Sequence, residues 1–359
     1  MASLPNKNKY PFISVVIPIY NAKQFIIGAI ESVLKTNYPY FEIIIIDDLS
    51  TDGSFEQIQQ KFIKNKKMTF VQNKQKKLAA GSRNEGIKRA KGELIALLDH
   101  DIEVDKNWLK EIVATFHLYP DVSVVQSRVL DLSKKDVIQH AGIKINTYLG
   151  WVVARGFGLS AKKHFLDSDE VFANATGLVF KKKVWKAVGG FDEDLAINTD
   201  DWDFNWKCWM LGFRQRLSPK AITYHWSKKQ QTRDVWIKRT QWEFHFAKVH
   251  YIFIKNYELK NILIFLPVYL AVNFGRGVFN LIFRLNSAPI IASVTSLGWL
   301  ILHFPKLLKK RRLLSVKRKI TDKYLIDHLM DHNFVPNYFI KHWFQAFRVG
   351  KTISTESPY

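Results

Sequence analysis

The sequence predicts an α/β protein: a Rossmann-like, mostly parallel sheet with flanking helices, followed by a helical region that associates with a membrane. Three observations carry this. Over the first hundred residues, short β-branched runs alternate with amphipathic stretches, the pattern of repeated βα units. After His225 the chain turns Trp-rich and basic, and then strongly apolar over Leu259 to Leu285 and Ala288 to Pro305. Residues 226–359 hold 22 Lys/Arg against 7 Asp/Glu, a net of +15 out of +22 for the 359-residue chain. That length is ample for a buried core. Cys208 is the sole cysteine, which excludes an intrachain disulfide and a thiolate zinc cluster and fits a reducing compartment. The opening MASLPNKNKY holds no apolar stretch of signal length, so the amino-terminal half is expected to stay unexported.

Strands are expected at Ile13 to Ile17, Glu42 to Ile46, Met68 to Gln72 and Glu93 to Leu98. Between them Ile26, Ile30, Val33 and Leu34 recur at helical spacing, and three helix starts carry capping boxes: Asn21 with Gln24, Ser54 with Gln57, Ser82 with Glu85. From about Phe172 a second βα region leads into a helix over Lys182 to Val188, stopped at Gly189-Gly190, and another helix begins near Thr199. The first apolar run is interrupted by Gly275-Arg276-Gly277, and the second is about 18 residues, the lower limit for a bilayer span. Residues 306–319 then hold eight Lys/Arg and no acid, which predicts attraction to an anionic membrane surface.

Ligands of an open parallel sheet bind outside the carboxyl ends of its strands. Those ends are Pro18-Ile19-Tyr20-Asn21, Asp47-Asp48 and Asp99-His100-Asp101, and the helix after the third strand is expected to open at Gly81-Ser82-Arg83-Asn84, its free N–H groups facing a diphosphate. Paired carboxylates at Asp99 and Asp101 call for a hard divalent cation, Mn2+ or Mg2+. Blander readings stay open: a solvated acidic turn for Asp99 and Asp101, against which their position after the fourth strand counts, an Asx turn for Asp48, helix caps for Asn21 and Ser82, a surface cation for Arg83, dipole-favoured first-turn acids for Asp200, Asp201 and Asp203, and a structural role for His225.

The runs VVIPIYNA, IIIIDDLSTDGS and AAGSRNEGIKRAKGELIALLDHD, followed by GGFDEDLAINTDDWDFNWKCWMLGFR and YHWS, resemble family 2 glycosyltransferases of the GT-A fold, in particular the rhamnosyltransferase-like and galactofuranosyltransferase-like branches, over about residues 12–227. The resemblance implies inverting transfer of a sugar from a UDP- or dTDP-sugar donor to a glycan or lipid-linked glycan. It makes Asp48 a base contact, Asp99 a ribose or metal contact, Asp101 and His225 metal ligands and Asp201 the general base. Pro18, Tyr20, Asn21, Arg83 and Asn84 then line the donor site. Asp200 stands where Glu is usual, and His100 fills the middle of D-x-D. On this reading residues 1–227 form the catalytic domain, with a nucleotide-sugar half at 12–101 and an acceptor half at 102–227. Residues 228–359 hold the protein on the cytoplasmic face of the inner membrane, peripherally or as a monotopic protein, so that a fragment ending at Tyr257 is expected to be soluble. A processive polysaccharide synthase is the rival within the class, but Asp234 follows Gln230 and Arg233 where such enzymes carry Trp. A nucleic-acid-binding protein is the rival outside it, and the apolar runs argue against a nucleic-acid partner.

Overall fold

The computed structural model describes residues 10–164, 166–226, 243–245 and 247–332. The Gln230, Arg233 and Asp234 comparison lies outside them. In the first half β1 (Ile13–Ile19), α1 (Ile26–Leu34), β2 (Phe41–Asp47), α2 (Ser54–Phe62), β3 (Met68–Gln72), α3 (Leu78–Arg89) and β4 (Leu94–Leu97) alternate as expected. The four strands pair in parallel in the order β3-β2-β1-β4. Alternate side chains enter opposite layers. Val15, Ile17, Ile43 and Ile45 join one core, while Val16, Ile44 and Ile46 join the other, so strands β1 and β2 are buried on both faces and read as unbroken apolar runs.

The second half comprises β5 (Ile102–Val104), α4 (Trp108–Leu118), β6 (Val122–Asp131), β7 (Ile138–His140), β8 (Ile143–Ile145), β9 (Val152–Ala154), β10 (Leu178–Lys181), α5 (Lys182–Val188), α6 (Asp200–Met210) and β11 (Arg214–His225). Here the sheet is mixed. Strand β10 is entered from the crevice end and therefore runs antiparallel to both β4 and β6, and β11 pairs in parallel with β6 but antiparallel with β5.

The helix starts differ from the expected capping boxes. Asn21 has a left-handed backbone (φ 52°), and its Oδ1 accepts from Thr51 N at 2.8 Å; α1 begins five residues later. Ser54 opens α2, but its N–H is held by Asp52 Oδ1 at 3.0 Å and its own Oγ accepts from Ala22 N. Helix α3 begins at Leu78, four residues before Ser82, because the Asp48 carboxylate accepts from Lys77 N (2.8 Å) and Leu78 N (2.9 Å). Ser82, Arg83 and Asn84 thus sit in the second turn, where N–H groups bond the preceding turn and are not free for a diphosphate.

Beyond the sheet come α7 (Val249–Asn256), α8 (Leu259–Arg284), α9 (Ala288–Lys317) and α10 (Asp322–His328). Tyr251, Phe253 and Tyr257, Phe265 and Tyr269 of α8, Leu307 and Leu314 of α9, and Leu325 of α10 belong to the same buried cluster as Phe172, Trp206 and Ile44. The expected boundary at 227/228 therefore separates no two cores: the carboxyl-terminal helices complete the catalytic one. The basic run is also partly redirected. Lys306 and Lys310 pair with Asp194 (2.6 Å each), Lys310 also with Asp192 (2.5 Å), Arg311 donates to Ile254 O and Tyr257 O, and Arg318 pairs with Asp322 at 2.9 Å. Lys309, Arg312, Lys317 and Lys319 remain exposed.

Candidate active site

The ends of β1, β2 and β4 line one crevice. Asp48 is buried at the end of β2, where Asn73 Nδ2 (2.8 Å) joins the two N–H groups of the α3 start on its oxygens. Tyr20 is 44% exposed at the rim, with Lys76 Nζ 3.2 Å from its ring centre, and Pro18 is half-buried on β1.

Arg83 is no surface cation. It is 7% exposed and joins two segments 101 residues apart in sequence: Nη2 to Asp99 Oδ1 at 3.0 Å and Nη1 to Asp200 Oδ2 at 2.6 Å. Thr176 Oγ1 donates to the other Asp99 oxygen at 3.2 Å. The D-x-D turn and the start of α6 thus face the same space. Asn84, by contrast, is fully spent on structure. Its Oδ1 accepts from Trp185 Nε1 and Phe191 N, and its Nδ2 donates to Phe191 O and Glu193 Oε1, all at 2.9 Å. With both lone pairs and both protons used, it is a clip for the 185–193 loop, which corrects its expected donor contact.

Asp200, Asp201 and Asp203 occupy the first turn of α6, yet all three are buried, which solvated first-turn acids are not. Asp203 is neutralised by Lys255 (2.8 Å) and Lys207 (3.1 Å). Asp201 is 6% exposed, and among the described residues its carboxylate accepts only from Ala175 N (3.1 Å) and its neighbour Trp202 N (3.0 Å). Burial, and after it the charge of Asp200, push the Asp201 carboxyl up to about 7 against the pull of the Arg83 guanidinium. A carboxylate so placed can take a proton near neutral pH.

The antiparallel pairing of β5 with β11 sets His225 opposite Ile102, so Asp101 Oδ2 lies 3.5 Å from His225 Nε2, and Trp226 N donates to Asp101 O at 3.2 Å. Burial alone raises the Asp101 carboxyl, but the His225 ring outweighs it and holds the group below the usual range. His225 Nδ1 meets Gln139 Oε1 at 2.7 Å, and the Gln139 Nε2 donates to His225 O (3.2 Å) and Asp131 Oδ2 (3.3 Å). This fixes the amide orientation, so Nδ1 donates to Gln139, while burial of the ring is outweighed by the Asp101 carboxylate that Nε2 faces, which raises the ring above its ordinary value. One carboxylate oxygen and one imidazole nitrogen suit Mn2+ or Mg2+ completed by phosphate oxygens and water. Among the described residues no three His, Cys, Asp or Glu side chains cluster as a self-sufficient metal cage, so the donor would complete the shell. Gln139 and Thr176 escape sequence reasoning, since a lone Gln on a short strand and a Thr in a loop carry no local signal.

A family model described as Glycosyl transferase family 2 matches residues 14–186. The chain is similar to a poly-beta-1,6-N-acetyl-D-glucosamine synthase of Staphylococcus epidermidis, 28% identical over 231 residues, 64% of this chain and 53% of that one. The chain thus spans about half the length of that relative. Among solved structures it resembles S. aureus TarS 1-349 in complex with UDP-GlcNAc, with a TM-score of 0.56 at 18% identity, covering 90% of this chain and 94% of that chain. It also resembles GalNAc-T7 with UDP, GalNAc and Mn2+, with a TM-score of 0.53 at 18% identity, covering 68% of this chain and 51% of that chain. Residues 14–186 accordingly carry a family 2 glycosyltransferase domain, set on a GT-A fold.

Proposed function

We propose that the protein is an inverting, metal-dependent glycosyltransferase of surface-polysaccharide or lipopolysaccharide assembly. It moves a sugar from a nucleotide-sugar donor to a hydroxyl of a glycan or lipid-linked glycan at the cytoplasmic face of a membrane. The observation that carries this reading is the Asp99–Arg83–Asp200 bridge, which sets the D-x-D turn against the helix bearing Asp201. The base of the nucleotide lies between Pro18, Tyr20, Asn21 and Asp48, and the ribose and diphosphate lie toward Asp99 and Arg83.

Asp201 takes the proton of the acceptor hydroxyl as that oxygen attacks the anomeric carbon. The new C–O bond forms on the face opposite the leaving nucleoside diphosphate, whose C–O bond breaks with the electron pair going to phosphate. Asp101 and His225 would hold Mn2+ or Mg2+, which would supply charge neutralisation at the diphosphate, while Asp99 is held by Arg83 and Thr176. The likeness to TarS bound to UDP-GlcNAc favours a UDP-sugar over a dTDP-sugar, and the branch resemblance favours hexosyl or rhamnosyl transfer. The likeness to a polymer synthase favours repeated transfer as a second reading. A nucleotide-sugar panel with manganese, scored for donor hydrolysis, tests the proposal, and no turnover of any donor refutes it. Product length then separates single from repeated transfer.

A further inference from the structure

We propose that the α8–α9 hairpin lies side-on in one leaflet of an anionic membrane, its turn dipping among the acyl chains and neither helix crossing. This rests on the reading that the enzyme works at a membrane, and adds how it is seated there.

The hairpin is built inside-out relative to a soluble one. Its inner seam is small or polar: Gly277 abuts Ile290, Ala292, Ser293 and Ser296 are buried, and Asn273 Nδ2 donates to Ser293 Oγ at 3.0 Å. Its outside is large and apolar. Of the 24 exposed large apolar side chains among the described residues, 16 lie between Leu259 and Val316, Leu285 in the turn reaching 91% exposure and Leu302 80%. Water favours the reverse arrangement, and lipid favours this one.

Both helices are nonetheless fastened along their length to the catalytic core. Phe265 packs edge-on against Tyr148 (5.1 Å between ring centres), Tyr269 Oη donates to Ala247 O at 3.1 Å and Arg276 pairs with Glu243 at 2.7 Å. On α9, Trp299 lies 5.3 Å from Tyr251 before the Lys310 and Arg311 contacts. A helix held side-on cannot also stand through a bilayer. His250 of α7 also meets the Ser296 backbone, so the unfastened arms are Gly277–Arg284 and 288–295, which at about 1.5 Å per residue reach about 12 Å each, less than half of the roughly 30 Å hydrocarbon core.

Charge selects the occupant. From Leu259 to Lys317 there are nine Lys/Arg and no Asp or Glu, with Lys260, Arg284, Lys309, Arg312 and Lys317 exposed, so a second copy would set like charge on like while anionic headgroups complement it.

The test uses the full chain. Its native thiol, Cys208, is buried, so Leu263→Cys, Leu285→Cys and Leu302→Cys each report alone when labelled with an environment-sensitive fluorophore on phosphatidylglycerol/phosphatidylcholine vesicles. Expected is shallow quenching by headgroup-labelled lipid at Leu263→Cys and Leu302→Cys, deeper quenching at Leu285→Cys, and none by a water-soluble quencher sealed inside the vesicles. Quenching of Leu285→Cys from inside overturns the proposal in favour of a span. The double variant Ile301→Glu/Leu302→Glu should weaken vesicle flotation about tenfold or more while leaving donor hydrolysis in solution unchanged. Wild type that ignores vesicles, or a dimer that this variant splits, overturns it in favour of a self-association face. Hydrolysis and binding are read separately: binding without hydrolysis defeats the enzyme reading alone, and hydrolysis without binding defeats the seating alone.

Discussion

Asp201→Asn distinguishes a catalytic base from a helix-start acid by whether one stability difference changes between about pH 5 and about pH 8. The folded protein holds this carboxyl near 7, against 3.8 for an ordinary aspartate. Between those values the native state binds a proton that the unfolded chain does not. A raised carboxyl therefore lowers stability as pH rises, the loss beginning near the unfolded value and complete above the folded one. From about pH 5 to about pH 8 the native carboxyl crosses roughly two units of this window, at about 1.4 kcal/mol per unit, so wild type should lose about 2–3 kcal/mol relative to a residue that does not titrate. Asn is that residue. It keeps the shape but turns an amide N–H toward Ala175 N or Trp202 N, a penalty that is the same at both pH values and cancels in the comparison. Urea melts of both proteins at the two pH values should thus show the variant gaining about 2–3 kcal/mol on wild type as pH rises, while turnover falls by about a hundredfold to ten-thousandfold. A charged cap, its carboxyl below 3.8, is ionised in both states from about pH 5 to about pH 8 and predicts no such gain, only a constant difference between the two proteins. That outcome, or near wild-type turnover in the folded variant, refutes the assignment of Asp201 as base.

Three further outcomes follow from the geometry. Asp101→Ala and His225→Ala should each abolish manganese-dependent donor binding, and Gln139→Ala should weaken it about tenfold to a hundredfold by releasing the His225 ring, measured by titration calorimetry with UDP; full activity in chelator defeats the metal centre. Asn84→Ala should lower the melting midpoint, with the loss of about 2–4 kcal/mol expected for an orphaned buried cluster, yet leave donor affinity of the folded protein unchanged. A chain ended after Tyr257 should aggregate when expressed, since it strips Phe265, Tyr269, Leu307 and Leu325 from the shared core; a soluble, donor-binding fragment would restore the view of a detachable anchor.

The first half of the fold was legible because β1 and β2 are buried on both faces and leave unbroken runs of Val and Ile. The second half was less so. Its short strands are joined antiparallel, and β10, four residues long, is set between β4 and β6 by pairing across more than fifty residues. Local signals also misplaced the helix starts, because Asp48 reaches across from β2 to cap α3 and outcompetes the capping box at Ser82. In the site, positions after strands single out Asp48, Asp99 and Asp101, whereas Gln139 and the partners of Arg83 depend on tertiary pairing. Composition read the basic run at 306–319 as a surface feature, and only the fold shows that Lys310, Arg311 and Arg318 turn inward while Lys306 stays exposed and pairs with Asp194.

That inward turn ties the hairpin to the helix carrying Asp201. Lys255 of α7 is buried between Asp192 and Asp203, and Asp203 lies two residues beyond Asp201 on α6. Lys310 of α9 completes the group from the other side of Asp192. The two lysines are not equivalent. Lys255 is 1% exposed and is shared by two fully buried carboxylates, whereas Lys310 is 28% exposed and Asp192 keeps Lys255 when it is lost. Removing one member of a buried ionic group leaves its partners uncompensated, at a loss of about 3–5 kcal/mol, while a partly solvated member matters far less. Lys255→Met should therefore lower stability by about that amount and shift the start of α6, reducing turnover along with it, while Lys310→Met should lower stability by about 1 kcal/mol and leave turnover nearly intact. Thermal melts and donor hydrolysis on both variants decide it. If Lys310→Met proves as damaging as Lys255→Met, the network is anchored from the hairpin rather than from α7, and the position of Asp201 depends on how the hairpin is held.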